Sequence, residues 1–182
     1  MGSDSTTSPG SSATAESLML RAIEETLPGG TVTAFVDDDE VLRAAGFGPI
    51  GHVAERLLTG PSAGWQWVEY AGAHPVRDAA AAYRDGDHRA LDRYPVSQPG
   101  TELMQSTWRA LRQVTPGAPV SYAELARIAG APRAVRAVAS ACARNRIAPF
   151  VPCHRAIKTG GGLGGYAYGL AVKEALLRAE TT

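Results

Sequence analysis

The chain has 182 residues, 45% of them hydrophobic and 20% charged, with 18 basic side chains against 18 acidic ones. That length suits one domain, or two small ones sharing a core, and the composition is that of an ordinary globular protein. No apolar run reaches a membrane span, the N-terminus lacks the pattern of a secretory signal, and the two cysteines and four scattered histidines make neither a disulfide framework nor a zinc site.

Residues 1–15, mostly Ser, Thr, Gly and Ala, read as a disordered tail. Leu18, Leu20, Ile23 and Leu27 predict a short helix over 16–27, ended by Pro28-Gly29-Gly30. Residues 31–36 are β-prone, Asp37-Asp38-Asp39 makes a solvated turn, and 40–47 returns as the second strand of a hairpin. A helix over 51–58, an alternating strand over 65–70 and a partly helical Ala-rich stretch over 75–94 complete a small α/β unit at 16–95, in which no chemistry is evident. Residues 96–100, with Pro95 before them and Pro99 within, read as a linker to a second unit at 101–182.

The second unit reads as mainly helical. Thr101-Glu102 starts a helix whose Leu103, Thr107, Leu111 and Val114 share a face, and residues 115–119 break it. Ser121 caps the next helix, 122–128, with Glu124 completing a capping box. A turn at Gly130-Ala131-Pro132 leads to a third helix over 133–144. Helix, short Gly turn, helix is a helix-turn-helix pattern. The third helix carries Ala137, Val138, Ala139, Ser140 and Ala141, small residues that let a backbone approach DNA closely but read little sequence. Zero net charge hides a split: from Leu125 to Lys173 there are eight bases and no acid, a polyanion-binding signature. Within that stretch, after the apolar run 147–151, stands Pro152-Cys153-His154-Arg155. A thiol is a useful nucleophile only when its thiolate is favoured, and the adjacent histidine and arginine are suitable means.

Trp108, Val120-Ser121-Tyr122, Leu125-Ala126, Gly130, Arg136-Ala137-Val138, Asn145, Pro152-Cys153-His154-Arg155, Gly164-Gly165-Tyr166, residues 169–174, Leu176-Leu177 and Glu180 occur in an order and spacing that closely resembles the O6-alkylguanine-DNA alkyltransferases, also called methylated-DNA–protein-cysteine methyltransferases. The resemblance covers about residues 100–180. It implies a ribonuclease H-like α/β N-terminal domain without catalytic role, followed by a mainly α domain with a winged helix-turn-helix-like DNA-binding unit. It also implies direct-reversal repair: an SN2 transfer of an alkyl group from guanine O6 to Cys153, once per molecule, on a nucleotide flipped out of the duplex.

The roles implied by the resemblance are specific. His154 takes the Cys153 proton through a water, Glu180 orients His154, and Asn145 holds the network. Arg136 fills the gap left by the flipped base, Ala137 and Ser140 lie on the DNA-facing helix, and Tyr122 sits by the flipped nucleotide. Residues 159–168 close over the guanine, Tyr166 walls the pocket, Pro152 and Ala156 belong to it, backbone groups of Cys153 and Ala156 meet the base edge, and Lys173 supports the site electrostatically. No metal or cofactor is implied. The implied partner is double-stranded DNA carrying O6-alkylguanine, with O4-alkylthymine as a further substrate, bound by a monomer without membrane association, in the cytoplasm at the nucleoid or in a eukaryotic nucleus. Ala167 stands where some members have a serine that bonds O6, and Tyr168 where some members have glycine and others an aromatic; an aromatic there should narrow the pocket, so bulky O6-benzyl groups are expected to be accepted less well than methyl. Cys142 reads as a small buried hydrophobe. Of the other readings, a non-catalytic lesion binder is disfavoured by the presence of Cys153. A helix-turn-helix regulator is disfavoured by the Ala-rich helix, and a cysteine hydrolase by the lack of an oxyanion-hole motif.

Overall fold

The computed structural model describes residues 18–181; the expected tail at 1–15 lies outside them. The N-terminal half is a four-stranded mixed sheet with order β3-β2-β1-β4. Strands β1 (Met19–Leu27), β2 (Gly30–Val36) and β3 (Leu42–Phe47) form an antiparallel meander, and β4 (Gln66–Glu69) runs parallel to β1. Helix α1 (Ile50–Leu57) covers one face and α2 (Pro75–Arg84) the other. After α2 the chain makes a 3-10 turn at Leu91–Arg93, so only part of 75–94 is helical.

Of the helix expected over 16–27, the described residues form none: Met19–Leu27 is β1. The apolar residues there serve two cores rather than one helical face. Leu20 and Ala22 point into the cluster under α1, whereas Ile23 and Leu27 point into the main core beneath α2. A strand buried on both faces is apolar on both, which blurs the period-2 signal. The polar residues of β1 then fasten the helices. Glu24 Oε1 accepts from the Ile50 amide at 2.9 Å, capping α1, and Glu25 pairs with Arg77 and Arg84 of α2.

The C-terminal half is mainly helical: α3 (Glu102–Gln113), α4 (Tyr122–Ile128), α5 (Val135–Ala143) and α6 (Leu170–Ala179), with a short parallel pair, β5 (Val120–Ser121) and β6 (Ala156–Ile157). Thr101 caps α3, and the Trp108 indole donates to the Ala141 carbonyl at 3.0 Å, tying α3 to α5. Ser121 caps α4 by accepting from the Glu124 amide, but only half of the expected box forms, because the Glu124 carboxylate turns to Arg127. Helix α5 starts at Val135, two residues later than expected, without a side-chain cap.

One apolar core runs through both halves, from Ile23 and Tyr83 to Leu111, Phe150 and Leu176. The edge of β3 joins them. Leu42 N donates to Pro95 O, Ser97 N to Leu42 O, and Ala45 N to Arg146 O at 2.8 Å. Segment 96–100 therefore connects the halves while itself bonded to the sheet, and its Gln98 is buried.

Candidate active site

After α5 the chain makes a tight apolar turn through residues 145–152, containing a cis Ala148–Pro149 peptide, and enters a 3-10 turn at Cys153–Arg155. Asn145 organises that turn. Its Nδ2 donates to Val151 O at 2.8 Å and to Cys153 Sγ at 3.2 Å, while its Oδ1 accepts from the Ile147 amide and from Gln98 Nε2, each at 3.0 Å. Gln98 in turn takes the Arg146 amide at 2.8 Å. A carboxamide is suited to this post because it donates to the sulfur and accepts from the backbone at once. Gln98 was missed in the sequence because it lies in the segment read as a linker.

Cys153 is buried, and burial pushes its thiol up; the hydrogen bond from Asn145 and the Lys173 charge oppose that rise without cancelling it. The resting group is thus a thiol. His154 is 1% exposed, and burial holds its imidazole below the ordinary value, against the hydrogen bond to Glu180, so it is neutral. Its Nε2 lies 2.8 Å from Glu180 Oε1. Burial pushes the Glu180 carboxyl up, but hydrogen bonds from His154 and Arg155 outweigh it and hold the group down to about 2. Against a carboxylate, Nε2 must carry the hydrogen, which leaves a lone pair on Nδ1; Nδ1 is buried and has no protein partner.

The adjacent arginine does not serve the thiol as its position in the sequence suggested. Arg155 turns away from Cys153, and its Nε reaches both Glu180 oxygens at 3.1 and 3.0 Å. Nη2 donates to Glu180 Oε1 and His88 O, and Nη1 to Asp92 Oδ2 at 2.6 Å. Tyr83 of α2 adds a hydroxyl bond to Glu180 Oε1 at 3.0 Å. The N-terminal half, in which the sequence showed no chemistry, thus supplies Tyr83, Asp92 and the His88 carbonyl to the network behind the histidine. The signal available for them was faint: Tyr83 is the one aromatic residue in the Ala-rich stretch at 75–84.

In front of Cys153 is a cavity of about 550 Å³. Tyr122, Asn145, Cys153, Tyr166, Ala167 and Tyr168 line it, as do Cys142, Lys158 and, from α1, Arg56. Gly164 at the rim has φ +71°, and a Cβ there would meet the Tyr122 hydroxyl at 3.1 Å, so the loop backbone reaches the phenol only as glycine. Tyr168 lies against Phe47 and Tyr166, with the Arg56 guanidinium 4.9 Å above its ring. Its hydroxyl occupies the place of a side chain at Gly46, 2.1 Å from where a Cβ would stand.

Pro152 and Ala156 are buried, and neither lines the cavity. Backbone groups expected at a base edge already carry hydrogen bonds: Cys153 N donates to Val151 O, Cys153 O accepts from Ala156 N, and Ala156 O accepts from Lys173 Nζ at 2.6 Å. Lys173 is fully buried and also holds Leu163 O at 2.5 Å, so it staples the glycine loop from below. Arg136, Ala137 and Ser140 are exposed on α5, whose Ala139, Cys142 and Ala143 line the cavity. Burial and the nearby Cys153 push the Cys142 thiol up, in keeping with a buried hydrophobe. Among the described residues, no helix is long and apolar enough to cross a membrane, and no group of His, Cys, Asp and Glu is arranged to hold a metal.

The family model of the 6-O-methylguanine DNA methyltransferase DNA-binding domain matches residues 102–182. A methylated-DNA–protein-cysteine methyltransferase of Salmonella typhimurium is 35% identical over 166 residues, covering 89% of this chain and 97% of the relative. The Escherichia coli bifunctional transcriptional activator/DNA repair enzyme Ada is 49% identical over 86 residues, and that match spans 47% of this chain and 24% of the longer relative. Among solved structures, the Mycobacterium tuberculosis OGT in complex with DNA superposes with a TM-score of 0.68 at 30% identity, over 88% of this chain and 92% of that one.

Proposed function

This chain belongs to the methylated-DNA–protein-cysteine methyltransferase family, and from that premise we propose that it repairs duplex DNA by moving an alkyl group from guanine O6 to Cys153. The observation that carries this reading is a buried thiol, held by Asn145 at one end of a cavity large enough for a base, with a neutral imidazole next to it in the chain. In the transfer the sulfur–carbon bond forms as the O6–carbon bond breaks. Nδ1 of His154 receives the thiol proton through a water, and the carboxylate of Glu180 stabilises the imidazolium. Tyr122, whose phenol burial holds above its usual value and hence protonated, gives a proton to N3 of the leaving guanine. The imidazolium then gives up its proton and the phenolate regains one through solvent, so that overall one proton passes from sulfur to the purine. Nothing in this scheme regenerates the thiol, so each molecule acts once.

The DNA face in this reading is α5, as the second helix of a helix-turn-helix within a winged-helix-like unit. Arg136 replaces the flipped base, and Ala137 and Ser140 let the groove approach closely. The sheet and helices of 16–95 form a small ribonuclease H-like unit, joined by 96–100 to the catalytic unit at 101–182. The protein works as a monomer without cofactor, in the cytoplasm at the nucleoid or in a eukaryotic nucleus, and takes O4-alkylthymine as a further substrate.

The test is direct. Incubated with duplex DNA carrying O6-methylguanine, the peptide containing Cys153 gains the mass of one methyl group in exchange for a hydrogen. No gain in the wild type, or an equal gain of protein mass in Cys153→Ala, rules the proposal out.

A further inference from the structure

A second groove of about 770 Å³ runs beside the catalytic cavity and shares Arg56, Ala143, Asn145 and Ala167 with it. Its walls come from both halves: Arg56 and Thr59 at the end of α1, and Arg144 and Arg146 after α5. None of its lining residues is acidic. Arg56 is exceptional in its own half. Each of the six other arginines between residues 18 and 100 pairs with a carboxylate, whereas Arg56 has none among the described residues. It is held at the rim instead by stacking on Tyr168. Arg144 is exposed and likewise without a carboxylate. Arg146 is partly buried, with its guanidinium bonded only to the neutral Thr59 at 3.1 and 3.4 Å. Burial holds that guanidinium below its ordinary value, and no acid compensates. Uncompensated cations that line one groove are costly to the free protein and suit a polyanion.

We propose that this groove carries the phosphate backbone of the DNA strand next to the flipped nucleotide, with Arg56, Arg144 and Arg146 as its phosphate contacts. The inference rests on the repair reading above. It gives the N-terminal half a share in binding DNA, through α1, which no motif in 16–95 suggested. Planar guanidiniums match phosphate oxygens pairwise, and such contacts position a duplex without reading its sequence.

The experiment measures binding of a lesion-bearing duplex by Cys153→Ala protein over a range of salt concentrations. The same background carries Arg56→Ala, Arg56→Lys, Arg144→Ala or Arg136→Ala, and each variant is checked for an unchanged unfolding midpoint. Each lost phosphate contact reduces the slope of log K against log salt by about one. The expected result is that reduction in Arg56→Ala and in Arg144→Ala, with the slope kept in Arg56→Lys. If Arg136→Ala weakens binding while Arg56→Ala and Arg144→Ala keep the wild-type slope, the groove proposal is overturned and the repair reading stands. If the parent protein shows no salt-dependent affinity for the duplex, both fall.

Discussion

Behind His154, Glu180 takes hydrogen bonds from the imidazole, the Tyr83 hydroxyl and the Arg155 guanidinium, and Arg155 passes on to Asp92, Val114 and His88. In front of Cys153, the cavity wall is made of phenol faces, a Gly-rich loop and Lys158, and the Tyr166 hydroxyl has no partner. The rear wall is an ionic lattice drawn from both halves, with each strong donor assigned. The front is a surface of small residues and rings. The contrast separates two environments: the rear holds the His154 ring in one orientation, and the front leaves open space beside Cys153.

The largest effect is expected from breaking the rear. Arg155→Ala strands two buried carboxylates and should cost about 3–5 kcal/mol of stability by chemical denaturation. A loss under about 1 kcal/mol would show that Glu180 and Asp92 do not depend on it. Glu180→Gln should slow transfer to Cys153 by about 100-fold in single-turnover kinetics while leaving affinity for duplex DNA intact.

The same substitution tests pH dependence. The folded Glu180 pKa lies below that of the unfolded chain, so its contribution is fully present above about 4.5 and is lost as pH falls through about 2. His154, also held low, loses stability in the same direction as pH falls below its unfolded value, whereas Asp92, pushed up by burial, opposes both. The acid limb of the wild-type stability curve should therefore be steeper than that of Glu180→Gln; coincident limbs would contradict the ionised lattice. Tyr83→Phe removes one hydrogen bond to a charged group and should cost about 1.5 kcal/mol, with a smaller loss of transfer rate. The smallest effect sharpens the front: Tyr168→Gly should raise O6-benzyl transfer relative to methyl by about tenfold. An unchanged ratio would mean that Tyr168 does not limit the pocket.

Much of the front was legible in the chain. Tyr122, Asn145, Cys153, Tyr166, Ala167 and Tyr168, singled out by spacing and resemblance, all line the cavity. The hairpin at 31–47, α1, β4 and the capped start of α3 also follow from local turn, period and cap chemistry. The rear was legible only at His154 and Glu180. Tyr83 meets Glu180 from 97 residues away, Arg155 meets Asp92 from 63, and Gln98 meets Asn145 from 47. No local pattern encodes such pairs, and a buried arginine looks like an exposed one until its acids are located. The strand at 19–27 imitates a helical period for the related reason that its two faces enter different cores.

The seat of the Tyr168 hydroxyl at Gly46 makes two distant positions a single engineering choice. A single methyl group added to β3 would evict the ring, lift it from under Arg56 and redraw the mouth of the cavity without altering any residue of the loop itself. Libraries that seek new alkyl preferences in this scaffold should therefore randomise positions 46 and 168 together.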